Sequence, residues 1–78
     1  MKLPRDVSAD RLIRVLKGLG YEVVRQKGSH VRLRHPDPPA HMITVPLHNP
    51  LKTGTLHGIL SEVAWMRSIT VDALAELL

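Results

Sequence analysis

Gly28-Ser29-His30 is the element of this chain whose residue types and spacing best suit chemistry. Lys27-Gly28-Ser29 is turn-like, and the glycine lets a tight turn deliver a histidine to the head of the run His30-Val31-Arg32-Leu33-Arg34-His35. Imidazole can both take and give a proton near neutral pH. Arg32 and Arg34 follow His30 at intervals of two, so in a strand the three share one face. RNA carries its own nucleophile, the 2′-hydroxyl. Cutting it needs a proton acceptor, a proton donor and cations against the phosphate charge, so no metal or protein nucleophile is required. His30 beside Arg32 suits two of these parts. A surface histidine in a basic strand can equally be inert, and the fragment alone leaves both readings open.

Lys52-Thr53-Gly54-Thr55 stands at the start of a predicted helix, where free backbone donors, threonine hydroxyls and a lysine suit a phosphate. Ordinary capping by Thr53 or Thr55 explains the same residues. The five histidines, all between His30 and His57, invite a metal reading. No pair has the spacing that puts both on one helix face, and no carboxylate cluster joins them, so no metal site is expected. His35 and His41 flank a proline loop and are expected at the polar surface, as is His57. Trp65 is expected to pack rather than to serve as a ligand platform.

The elements that position these groups follow from periodicity. Leu12, Val15, Leu16 and Leu19 make a helical stripe, with Ser8 as N-cap, Asp10 in the first turn, and Gly18 and Gly20 as the stop. Tyr21 to Gln26 is rich in strand formers. His30 to His35 alternates, Pro36-Asp37-Pro38-Pro39 breaks the pattern, and His41 to Leu47 alternates again with Ile43, Val45 and Leu47 on one side. Pro46 lacks a backbone donor and belongs at an edge or a strand end. If the last two strands form a hairpin, apolar alternation pairs Leu33 with Ile43 and Val31 with Val45. His30 then lies near Pro46, Arg32 near Thr44, and His48 near the Gly28 end. A second helix carries Leu56, Ile59, Leu60 and Val63. Ser68 or Thr70 opens a short last one with Val71, Leu74, Leu77 and Leu78. The expected fold is α+β, a three-stranded antiparallel sheet with both main helices on one face and the other face free.

Composition narrows the function classes. The chain has 78 residues, enough for one domain over residues 1–78, with 44% hydrophobic residues and no cysteine to form disulfides or a thiolate zinc cage. Tyr21 and Trp65 are the only aromatic residues, which argues against a module that stacks bases on exposed rings. The first residues show no leader, and no segment is long and apolar enough to span a membrane, so a cytoplasmic protein is expected. Formal charge is +4. Arg25, Lys27, Arg32 and Arg34 fall together with no acid among them, whereas Glu62, Asp72 and Glu76 dominate after His57. The basic middle can attract a polyanion, although a merely solvated face would read the same way.

Three stretches in order carry a resemblance: Gly28-Ser29-His30-Val31-Arg32-Leu33-Arg34-His35-Pro36, then Val45-Pro46-Leu47-His48, then Lys52-Thr53-Gly54-Thr55-Leu56-His57-Gly58-Ile59-Leu60. With the helix ending Leu19-Gly20-Tyr21 they resemble the HicA family over residues 8 to 66. The resemblance implies a fold like that of double-stranded-RNA-binding domains, α-β-β-β-α, in the toxin half of a toxin–antitoxin pair. It implies a ribosome-independent mRNA interferase whose catalytic group is the histidine of the Gly-Ser-His element, His30. It also implies a HicB antitoxin that covers the active site.

The expected function is therefore a metal-independent endoribonuclease acting on mRNA, with no cofactor. His30 is its acid or base. Lys27, Gly28, Ser29, Arg32, Arg34 and Lys52 are expected at the RNA, and Gly54 and Thr55 supply backbone donors at the helix start. His48 is the candidate supporting group, because the hairpin register brings it near His30. The alternatives are a non-catalytic RNA-binding module of the same shape, whose binding survives loss of His30, and an interaction subunit whose basic face docks an acidic partner.

Overall fold

The computed structural model describes residues 4–78; positions 1–3, on which the no-leader expectation partly rests, lie outside the described residues. Ser8 is extended, and its Oγ accepts from the Arg11 N–H at 3.1 Å, opening α1 (Ala9–Gly18) as the sequence predicts. Asp10 in its first turn and Lys17 in its last suit the helix dipole. Leu12 and Leu16 are fully buried, while Val15 and Leu19 are half-buried at the stripe's margin. Past the helix end, Gly20 takes a φ of +104°. The Tyr21 N–H then donates to the Leu16 carbonyl at 3.0 Å, which turns the chain sharply toward the sheet.

The sheet consists of β1 (Glu22–Lys27), β2 (His30–His35) and β3 (His41–Pro46), antiparallel and in that order. The predicted β2–β3 register is present: Leu33 opposes Ile43, Val31 opposes Val45, His30 opposes Pro46 and Arg32 opposes Thr44. Val31, Leu33, Ile43 and Val45 are buried, and their alternating neighbours His30, Arg32, Arg34, Met42 and Thr44 are exposed. One face is packed and the other is open.

Two helices cover the packed face. α2 (Thr53–Arg67) buries Leu56, Ile59, Leu60, Val63 and Ala64, the predicted stripe and one residue more. Its N-cap is Lys52, with no side-chain cap, and not Thr53 or Thr55. Both threonines are already helical, so neither has the extended backbone from which a cap hydroxyl reaches forward. Ser68 ends α2 in the left-handed region, at φ 56° and ψ 43°, rather than opening the next helix. Thr70 does that for α3 (Val71–Glu76), its Oγ1 accepting from the Ala73 N–H at 3.0 Å. Leu74 of α3 is fully buried and Leu77 is left exposed. Six leucines, at positions 12, 16, 33, 56, 60 and 74, retain 2% of their surface or less. At about 2 kcal/mol for each such side chain, this aliphatic core replaces the aromatic packing that the chain lacks. Trp65, expected to pack, is instead 84% exposed, because it sits off the buried stripe of α2. Among the described residues no helix is long and apolar enough to cross a membrane.

Candidate active site

The turn between β1 and β2 is the two residues Gly28 and Ser29, flanked by the Lys27–His30 pair. Gly28 has a φ of +56° and Ser29 is not among the positive-φ residues. Glycine at the first central position suits a hairpin turn whose twist matches the strands. That turn fixes His30 as the first residue of β2, exposed and on the open face.

β1 is irregular at Val24, since Val23 opposes Leu33 while Arg25 already opposes Arg32. This bulge changes the phase of the strand. Val23, Arg25 and Lys27 would share one face of a regular strand. Instead Val23 lies across from the buried Leu33, while Arg25 and Lys27 lie across from Arg32 and His30 on the open face. Two rows result, Lys27–His30–Pro46 and Arg25–Arg32–Thr44, and a third runs Glu22–Arg34–Met42.

Arg25, Lys27, His30, Arg32 and Thr44 line one shallow depression. It holds three permanent cations, one imidazole, one hydroxyl and no acid, a chemistry matched to a phosphodiester. Of the residues that the sequence pointed to, Lys27, His30 and Arg32 meet here. Arg25 and Thr44 were missed, although the first belongs to the basic run and the second was already paired with Arg32.

The remaining predicted residues stand elsewhere. Arg34 is one row further along, opposite Glu22. Lys52 lines a separate hollow with Arg5, Asp6, Pro50 and Thr53, near the N-terminal segment. Gly54 and Thr55 lie in the first turn of α2. The Leu47 N–H donates to the Ser29 carbonyl at 2.6 Å, which brings the chain before His48 to the Gly28–Ser29 turn. The exposed His48 ring does not line the depression. No group of three His, Cys, Asp or Glu side chains converges as a metal set among the described residues.

His35 and His41 correct the surface expectation, being only 6% and 8% exposed. They share the packed face with Val31, Leu33, Ile43 and Val45, and polar partners make their burial tolerable. The His41 Nε2–H donates to the Glu62 carboxylate at 2.7 Å, and its Nδ1 accepts from the Tyr21 hydroxyl, also at 2.7 Å. The His35 Nε2–H donates to the Leu19 carbonyl at 3.0 Å. Its Nδ1 accepts from the Asp37 N–H at 3.2 Å and from Arg67 Nη1 at 2.9 Å. Arg67 Nη2 donates to the Pro39 carbonyl, and the guanidinium lies 5.9 Å from the Tyr21 ring centre. Burial pushes the Tyr21 hydroxyl above its ordinary range, against the opposing pull of Arg67. This network ties the end of α2 to the proline loop and to the far ends of β2 and β3. Five residue steps along β2, roughly 17 Å, separate His35 from His30, so the network holds the sheet and does not reach the depression.

No curated protein and no solved structure matches the chain. A family model described as the HicA toxin of bacterial toxin–antitoxin systems matches residues 9–65, the span from the first residue of α1 almost to the end of α2. That span contains the whole sheet, the Gly28–Ser29 turn and every residue lining the depression. The chain therefore belongs to the HicA family of toxins from bacterial toxin–antitoxin systems.

Proposed function

We propose that this toxin is an endoribonuclease that cuts mRNA without a metal or cofactor, using His30 to move a proton. The observation that carries the reading is the exposed His30 ring in a depression lined by Arg25, Lys27, Arg32 and Thr44. A ribose 2′-hydroxyl attacks the adjacent phosphorus and loses its proton, while the 5′-oxygen leaves and gains one. The products are a 2′,3′-cyclic phosphate and a free 5′-hydroxyl. His30 serves at one of these two transfers, and the cations offset the charge that builds on the phosphoryl oxygens. Arg34, Lys52 and the α2 start at Gly54 and Thr55 would meet phosphates further along the strand. His48 is the candidate partner in proton transfer, standing just beyond the turn. A HicB-type antitoxin would silence the toxin in the cytoplasm by covering this face.

Incubation of purified wild-type and His30→Ala chains with a transcript in chelator tests the proposal. The wild type should yield fragments with cyclic phosphate ends. The variant, folded as judged by circular dichroism, should cut about 10²- to 10⁴-fold more slowly. A variant that cuts at the wild-type rate removes His30 from the mechanism. Binding without fragments from either chain points to an RNA-binding module instead.

A further inference from the structure

The geometry points to Arg25, held directly across from Arg32 with Thr44 on the next strand, as a phosphate subsite of the open sheet face, one row along from His30. The inference rests on the RNA-cleaving reading for its ligand and on the sheet geometry for its residues.

Three features of the fold converge there. First, Arg25, Arg32 and Thr44 occupy one cross-strand row and line the same depression as His30. The row carries two guanidinium forks and one hydroxyl, enough donors to surround a phosphate from two sides. Second, Arg25 and Arg32 are directly opposed, and like charges so placed destabilise a sheet. Among the described residues no Lys or Arg is paired with an Asp or Glu, the one close contact to a carboxylate being His41–Glu62, so neither arginine is matched by an acid. An anion between them removes the repulsion, and a phosphodiester supplies that anion. Third, the bulge at Val24 is what turns Arg25 to the open face, since in a regular strand it would share the side of Val23, which opposes the buried Leu33. A bulge that re-aims a side chain beside a reactive group is a recurring use of that irregularity.

Arg34 lacks these features, because its cross-strand partner is Glu22, which competes with phosphate for it. The Lys52 hollow likewise includes Asp6. The Arg25 row is the acid-free part of the surface next to His30. A phosphate held there lies one residue pair from the imidazole, so Arg25 is a binding and positioning residue, while the proton transfer stays with His30.

The test measures binding of a fluorescein-labelled single-stranded RNA of mixed sequence to His30→Ala chains, so that cutting does not intervene. Adding Arg25→Ala should make the slope of log K against log salt shallower by about 0.7, the value for one lost phosphate contact on a single strand. That corresponds to an affinity about fivefold weaker near 0.1 M salt. Arg25→Lys should keep the slope, and Thr44→Val should weaken binding with the slope unchanged. Arg14→Ala, on the exposed side of α1, controls for the loss of one positive charge. An Arg25→Ala slope equal to that of the parent, an equal change in Arg14→Ala, or a parent that binds no RNA overturns the subsite. If the Arg25 dependence holds while the chain with His30 intact leaves RNA uncut, the subsite stands and the cleavage reading falls. If RNA is cut and Arg25→Ala changes nothing, the reverse is true.

Discussion

Gly20 and Gly18 lie two residues apart, and replacing each by alanine should move stability in opposite directions. At Gly20 an added Cβ would stand 2.7 Å from His35 Nε2, the nitrogen whose proton the Leu19 carbonyl accepts. Its φ of +104° is also one that an L side chain rarely adopts. Backbone strain costs about 1–2 kcal/mol and displacing the buried ring from its acceptor a further 1–3 kcal/mol, so Gly20→Ala should lose about 3 kcal/mol. A domain of this size has only about 4–12 kcal/mol in total. The melting temperature should accordingly fall by roughly 12–24 °C. At Gly18, the last residue of α1, nothing lies within 4 Å of the added carbon. Gly18→Ala should therefore stabilise the helix by about 0.5 kcal/mol. Thermal and urea unfolding of both variants provide the assay. In a His35→Ala background Gly20→Ala should cost less than it does in the parent, about 1–2 kcal/mol, because the clash with the ring is gone and only the backbone strain is added. A Gly20→Ala chain as stable as the parent, or a Gly18→Ala chain that loses as much, would refute the account of the turn.

Tyr21 makes stability depend on alkaline pH. Because burial holds its hydroxyl protonated above the ordinary value, the unfolded chain ionises first as pH passes about 10. The folded state then binds more protons, so stability is full below that pH and declines as pH rises through the folded value. Tyr21→Phe should flatten this decline in urea midpoints measured between about pH 9 and 11, and an unchanged slope would exclude Tyr21 as its source. Ser68→Gly should gain about 0.5–1 kcal/mol, since a left-handed residue that ends a helix favours glycine. A melting temperature no higher than that of the parent would count against this.

Period-two alternation from His30 to His35 and from His41 to Leu47 was enough to read the hairpin register and the composition of its open face. The same alternation places His35 in phase with Leu33, and His41 in phase with Ile43, on the buried side. Residue type argued for the surface, and phase prevailed, because Tyr21, Glu62 and Arg67 supply the polar partners from distant segments. No sequence period reveals those partners. The bulge at Val24 was equally hidden, since Glu22 to Lys27 has no apolar alternation to show a change of phase. Arg25 was therefore left out of the expected site. Trp65 shows the opposite lesson, since its position relative to Leu60 and Val63 already put it off the helical stripe, while its size suggested packing.

The sheet with one covered side has an evolutionary consequence. Along β2 every second residue answers to foldability, and the residues between them answer only to whatever lies on the bare side. Substitutions at positions 30, 32 and 34 can thus change the chemistry of the bare side while leaving the packed core, and with it the fold, intact.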